Sequence, residues 1–271
     1  MAVSDDGGHS WSYQGIVPGI DPYEGRNTLW APEVVVADGR FHMFVSHIAG
    51  VPSRWSGHDR HILHHVSDDL LHWEFRGVVP LSSDRVIDAA VHPRPDGGFR
   101  LWYKDEGHDS TTWAADSADL EIWGPGRPVI TGRGHEGPNV FWLTDRYWLI
   151  VDEWRGLAVY ESHDLESWDR QGLILDRPGR RPFDQTIGRH ADVVVGHRQD
   201  GREVGWIFYF THRVERDDED APPHGDAASA LDEHRTDVQV AALEVVDGRL
   251  RCDRDGVVDL DLRRASRSAM P

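Results

Sequence analysis

The sequence predicts an all-β fold: a five-bladed β-propeller of four-stranded antiparallel blades, with the first blade incomplete. Three observations carry this. A Ser/Asp-rich turn ending in tryptophan recurs as Ser4-Asp5-Asp6-Gly7-Gly8-His9-Ser10-Trp11, Ser67-Asp68-Asp69-Leu70-Leu71-His72-Trp73, Asp116-Ser117-Ala118-Asp119-Leu120-Glu121-Ile122-Trp123 and Ser162-His163-Asp164-Leu165-Glu166-Ser167-Trp168. Its tryptophans step by 62, 50 and 45 residues, a period that belongs to propellers or solenoids. A second segment type repeats out of phase with the first: Trp30-Ala31-Pro32-Glu33-Val34, Ile87-Asp88-Ala89-Ala90-Val91, Glu136-Gly137-Pro138-Asn139-Val140 and Arg189-His190-Ala191-Asp192-Val193. Thirdly, helical periodicity is scarce, whereas strand-like runs such as Phe99-Arg100-Leu101-Trp102-Tyr103 and Tyr147-Trp148-Leu149-Ile150-Val151 are common.

Each element follows in order. The polar-to-apolar segments open inner strands. Tight hairpins at Ala37-Asp38-Gly39-Arg40 and Pro95-Asp96-Gly97-Gly98 lead to second strands rich in aromatics. A loop leads to the third strand, such as Ile62–Val66. The Ser/Asp turn follows, where Asp offers the backbone a local hydrogen bond, and the outer strand begins near Phe75–Pro80. That is a four-stranded antiparallel blade. A fifth outer half falls at Val238–Leu250, but inner halves occur only four times. Met1 stands at the start of the third strand of blade one. The reading is one propeller domain over 1–262, interrupted by an acidic insertion at 215–233 and followed by a frayed tail at 263–271. The four inner-strand starts are expected to place Glu33, Asp88, Glu136 and His190 at one matched position, converging on the propeller axis.

Composition bounds the rest. The 271 residues are 39% hydrophobic with 12 Trp, enough for a sizeable core. A net charge of −18 excludes nucleic acid and anionic membranes as expected partners. Lys104 is the only lysine. Cys252 is the only cysteine, so neither an intrachain disulfide nor a cysteine-based zinc site is expected. The N-terminus has no basic or apolar signal region, which points to the cytoplasm unless a signal lies upstream of Met1.

With these motifs in this order, one per blade, the chain resembles the five-bladed β-propeller glycosidases, above all glycoside hydrolase family 43 and its relatives. The resemblance covers nearly the whole length. It implies a glycosidase that cleaves a small glycoside or oligosaccharide with inversion. Glu136 then matches the general acid, and Asp88 the aspartate that tunes the acid's pKa and orients it. His190 matches a histidine near the pocket floor that touches a calcium or an ordered water. No cofactor is required, with structural calcium as an option. The family's blade-one base has no counterpart here, and Asp21 and Glu24 are stand-in candidates. The alternatives are a catalytically silent or truncated carbohydrate-binding propeller, and a protein-binding scaffold.

Acetal cleavage needs a proton donor on one side of the sugar and, for inversion, a carboxylate roughly 6.5–9.5 Å away to activate water. Inner strands of different blades can supply that separation. Sugar faces stack on aromatic rings while hydroxyls meet polar groups. Trp30, Trp55, Trp113 and Trp154 are therefore platform candidates. Glu33, Arg54, His108, Arg189 and Asp192 are candidates for hydroxyl or carboxylate contacts, with Asp192 expected on the same strand face as His190. Trp11, Trp73, Trp123 and Trp168 repeat by blade and are assigned to packing between blades.

Overall fold

The structure, a computed structural model, describes residues 1–55, 57–213 and 235–265. The acidic insertion expected at 215–233 lies outside the described residues. Four four-stranded antiparallel sheets form in chain order, each made of consecutive strands. A two-stranded sheet, β1 (Ala2–Val3) and β2 (Ser12–Tyr13), precedes them. Blade two comprises β3 (Thr28–Ala37), β4 (Arg40–Ile48), β5 (Arg60–Ser67) and β6 (Glu74–Val78). Blade three comprises β7 (Val86–Pro93), β8 (Phe99–Asp105), β9 (Thr111–Ser117) and β10 (Arg127–Ile130). Blade four comprises β11 (Glu136–Leu143), β12 (Arg146–Asp152), β13 (Leu157–Ser162) and β14 (Asp169–Ile174). Blade five comprises β15 (Arg189–His197), β16 (Glu203–His212), β17 (Thr236–Val246) and β18 (Arg249–Asp253). The β1–β2 sheet is the outer half of an incomplete blade one. The fold is thus a five-bladed propeller with four full blades.

The Ser/Asp turn is one device built four times. Ser67 Oγ accepts the amide of Leu70 at 2.9 Å, and Asp69 Oδ1 accepts those of Leu71 and His72 at 2.8 Å each. Ser162 and Asp164 repeat this, with 2.9 Å to Leu165 and 2.8 Å each to Glu166 and Ser167. Asp119 takes the amides of Glu121 and Ile122 at 3.0 and 2.9 Å. The turn closes through a left-handed residue, Leu70, Leu120 or Leu165, at φ 65°, 65° and 64°. In blade one that conformation falls on Gly7 and Gly8. These glycines also admit the chain's last described segment. A Cβ on Gly7 would lie 2.5 Å from Asp261 Oδ1, and Leu262 N donates to Gly7 O at 2.9 Å. Of the tail expected from 263 onward, residues 263–265 are described. Leu262–Arg264 forms a short 3-10 turn, and Ala265 bridges to Gly196.

The second strands of the middle blades, β8 and β12, are buried on both faces, because blades on either side cover them. β8 and β12 are buried after their first residue. That is why their sequences read as continuous apolar runs rather than alternating ones. Trp123 of blade three stands edge-on to Phe44 of blade two, with centroids 5.7 Å apart. Trp168 of blade four does the same to Trp102 of blade three at 6.5 Å. Arg100, fully buried, pairs with Asp116 at 2.6 Å in its own blade and with Glu166 at 2.5 Å in the next.

Candidate active site

The starts of the inner strands and the ends of the second strands meet at one end of the propeller. All four inner strands are interrupted there by a bulge. It falls between Trp30 and Glu33 in β3, and between Ile87 and Ala90 in β7. In β11 it falls between Glu136 and Asn139, and in β15 between Arg189 and Ala191. Ala31, Asp88 and Gly137 hold equivalent bulge positions with φ of 46°, 58° and 57°. Bulges bend a strand and re-aim its side chains. The expectation of one matched position for Glu33, Asp88, Glu136 and His190 is therefore corrected: the matched feature is the bulge. Glu136 precedes it, Asp88 and His190 lie within it, and Glu33 follows it.

From these points the carboxylates tie blade to blade. Glu33 Oε1 accepts the amide of Val91 at 3.1 Å. Asp88 Oδ2 accepts that of Gly137 at 3.2 Å, while its own amide donates to Ser46 Oγ at 3.0 Å. Asp152, at the end of β12, accepts Trp154 N at 2.7 Å and His190 N at 3.0 Å. In β11 and β15 the bulge frees an amide that a carboxylate of the preceding blade takes, Asp88 for Gly137 and Asp152 for His190, whereas the Asp88 amide freed in β7 goes to the Ser46 hydroxyl. Gly137 adds a steric requirement, because a Cβ there would lie 2.6 Å from His190 Cδ2. Only glycine both adopts that φ and leaves room for the imidazole.

Electrostatics separate these groups. Asp88 is buried, and burial together with the Glu136 charge lifts its pKa above the usual aspartate range, against the pull of His190 and Lys104. Burial, then Glu136, pushes Asp152 up to about 6. Glu33 is pushed up to about 8 by burial and the Asp192 charge, although it keeps partial exposure. Its high value comes from dense protein around the carboxyl rather than complete exclusion of water. Glu136 is partly open, with a side chain 24% exposed, and Lys104 Nζ stands 3.1 Å from its Oε2. Lys104 also pairs with Glu106 at 2.9 Å and lies 5.2 Å over the Trp154 ring. Glu106 is held from behind by Arg60.

The structure thus brings Glu136, Asp88, His190 and Trp154 together. Trp30 and Trp55 form a second aromatic group, edge to face with centroids 4.6 Å apart. His108 packs on Trp113 at 4.5 Å and is fixed by Asp105 at 2.8 Å, while Trp113 also packs on the core between blades two and three. Arg54 is exposed on the loop between β4 and β5. Arg189 is buried, and its charge acts on Asp152. Asp192 bonds Asn139 Nδ2 at 2.6 Å. Its partners differ from those of His190, because alternation does not hold across a bulge. Asp21 is engaged with Asn27 Nδ2 at 3.0 Å, and Glu24 is exposed on the same turn. Among the described residues, no group of three or more His, Cys, Asp or Glu is arranged to hold a metal ion. The described residues around His190 do not fit a calcium cage.

Sequence reading missed Lys104, Glu106 and Asp152. All sit at or just beyond the ends of second strands, opposite the bulges: Lys104 faces Ile87, and Asp152 faces Glu136. The available signals were a lone lysine and the matched acidic pairs Asp105-Glu106 and Asp152-Glu153.

No protein-family profile and no curated protein matches the chain. The fold, however, is that of solved propeller glycosidases. A thermostable family-43 glycoside hydrolase aligns with a TM-score of 0.64 at 18% identity, over 86% of this chain and 78% of its own. A family-43 β-1,3-galactosidase with galactodeoxynojirimycin aligns at 0.65 and 14% identity, over 93% and 84%. A structure from the GH130 family, described as mannoside phosphorylases containing glycoside hydrolases that target β-1,2 mannosidic linkages in Candida mannan, aligns at 0.57 and 13%, over 87% and 70%. At these identities the likeness establishes the propeller fold shared with family 43 and its relatives. No described helix is long and apolar enough to cross a membrane.

Proposed function

We propose that the protein is a glycoside hydrolase acting on a small glycoside or oligosaccharide, with Glu136 as the general acid. One observation carries this reading. Among the carboxylates gathered at the bulges, Glu136 is joined to a buried cation and remains partly open to solvent, while Asp88 and Asp152 are buried beside it. Asp88 orients the segment that carries the acid, through its bond to the Gly137 amide. Trp154 and the Trp30–Trp55 pair supply apolar faces for sugar rings. The glycosidase propellers of like fold, including a β-1,3-galactosidase and enzymes acting on β-1,2 mannosidic linkages, make galactosides and mannosides the first substrates to try.

Glu136 donates its proton to the leaving oxygen as the C–O bond breaks, and water attacks the opposite face with inversion. A carboxylate takes a proton from this water; in family 43 that base stands on blade one, whose described residues here are β1 and β2, at the seam with blade two. A second reading follows from that seam: a propeller that binds sugar and does not cleave it.

Glu136→Gln keeps size and hydrogen bonding but has no proton to give. It is expected to lower hydrolysis of phenyl β-galactosides or mannosides by about 10²–10⁴-fold, the usual worth of a positioned acid, with an unchanged melting temperature. Retained turnover would remove Glu136 from the mechanism. Calorimetric sugar binding by a wild-type protein without turnover would establish the second reading.

A further inference from the structure

We propose that Lys104 is the positioning residue of this site: its ammonium donates to Glu136 Oε2 and so orients the carboxyl group, whose other oxygen carries the proton to the leaving oxygen. The proposal rests on the reading of Glu136 as the acid. Lys104 is the only lysine in a chain with 29 basic Lys and Arg residues. It is 4% exposed, and its Nζ lies 2.9 Å from Glu106 Oε1 and 3.1 Å from Glu136 Oε2. The two carboxylates differ. Glu106 is immobilised by Arg60, which also takes the Trp55 carbonyl at 3.0 Å and that of His58. Glu136 is held by Lys104 and is the more exposed of the two. The line Arg60–Glu106–Lys104 therefore fixes the ammonium from the protein side and presents it to Glu136.

Burial opposes the charge on Lys104, yet Glu136 and Glu106 outweigh it and keep the ammonium above the usual lysine range. The residue is thus a cation under any condition in which the protein is folded and working. A buried ion pair is a poor source of stability compared with apolar packing. Its presence at a partly open carboxylate of the cluster points to orientation rather than to fold. The compact ammonium suits this task. A guanidinium would impose a planar, two-point geometry on Glu136.

The test compares phenyl and 2,4-dinitrophenyl β-galactosides or mannosides, whichever pair the wild type cleaves. Departure of dinitrophenolate needs little help from an acid. Lys104→Met is expected to lower kcat on the phenyl glycoside about 100-fold and on the dinitrophenyl glycoside less than about 5-fold, with KM little changed. A thermal melt checks folding, and Lys104→Gln replaces the methionine variant if that fails to fold. An equal loss on both glycosides would show a purely structural role and overturn the proposal. Glu136→Gln on the same pair separates the two claims. If it shows no leaving-group difference, the acid assignment itself fails. If it shows the difference and Lys104→Met does not, only the positioning role fails.

A second readout needs no turnover. Protein labelled with ¹⁵N-lysine gives one side-chain ammonium signal, because there is one lysine. That signal must move in Glu136→Gln and in Glu106→Gln, and an unmoved signal in Glu136→Gln overturns the proposal.

Discussion

Trp73 and Trp123 occupy the same place in the repeat and meet opposite fates. Both follow a Ser/Asp turn, and both indoles donate to the carbonyl of the turn's left-handed leucine at 3.1 Å. Trp123 then packs onto Phe44, a second-strand residue of the preceding blade, and is 8% exposed. Trp168 packs onto Trp102, the equivalent residue one blade on. For Trp73 the preceding blade is blade one, whose described residues include no second strand. Trp73 instead lines a cavity of about 550 Å³ with Met1, Val3, Trp11, Val34 and Met43. The shared Ser-x-Asp-Leu pattern makes the same turn in both places. Trp73 packs, partly buried, on Met43, Val45 and Leu63 of its own blade, and it is the neighbouring blade that places Trp123 and Trp168 in a core between blades. Local structure here is set by the repeat, and stability by the seams.

The largest effect that sharpens this comparison comes from truncating both tryptophans. Trp123→Ala removes an aromatic side chain from a closed core and is expected to cost about 3–5 kcal/mol. Trp73→Ala removes one that already faces a cavity, and about 1–2 kcal/mol is expected, since the area it withdraws from water is smaller. Denaturant melts of the two variants measure the difference. Equal losses would mean that the blade-one seam is as well filled as the others.

The same division explains what was legible in the sequence. The Ser/Asp turns, the strand order and the incomplete first blade were readable, because each rests on residues close together in the chain. Trp123 and Trp168 were rightly placed between blades, since a repeated aromatic beside a turn has a neighbouring blade to pack on. The site was harder. Asp88 and Glu136 stood out as polar groups at strand starts. Their register did not, because bulges are set by pairing with the second strand and leave no period in the sequence. His190 and Asp192 looked like neighbours on one face for the same reason. Lys104, Glu106 and Asp152 sit at or just beyond the far ends of second strands. Their nearness to Glu136 is created by hairpin closure and by blade-to-blade packing, not by spacing along the chain.

An intermediate effect concerns pH, and it separates the axis from the interior of blade two. Glu33 rises to about 8 in the fold from an ordinary value of 4.5. Between those limits the folded state keeps a proton that the unfolded chain releases. Its contribution to stability is therefore full below about pH 4.5 and is lost as pH rises towards 8. His64 and His65 have the opposite sign: burial pushes them down to about 3 and about 4. Their contribution is present above the ordinary histidine value and is lost as pH falls. Glu33→Gln keeps an acceptor for the Val91 amide and has no proton to lose. Its melting temperature is expected to fall less than that of the wild type between pH 5 and pH 8, by about 3 °C, roughly the shift that 1 kcal/mol gives a chain of this size. Parallel curves would show that the Glu33 carboxyl is solvated at the axis.

The smallest expected effect is the most direct probe of the open seam. Counted from the bulge, Val34, Val91 and Val140 hold one position on three inner strands. Val91 and Val140 are 6% and 8% exposed, whereas Val34 is 41% exposed. Replacing valine by threonine keeps the shape and adds a hydroxyl, which costs free energy only where water cannot reach it. Val140→Thr is expected to destabilise by about 1–2 kcal/mol, and Val34→Thr to stay within about 0.5 kcal/mol of the wild type. Chemical denaturation of the pair reads this directly. If Val34→Thr cost as much as Val140→Thr, the Val34 face would be covered in solution. The cavity beside Trp73 would then be the footprint of whatever covers it, and the contrast between the two tryptophans would shrink in step.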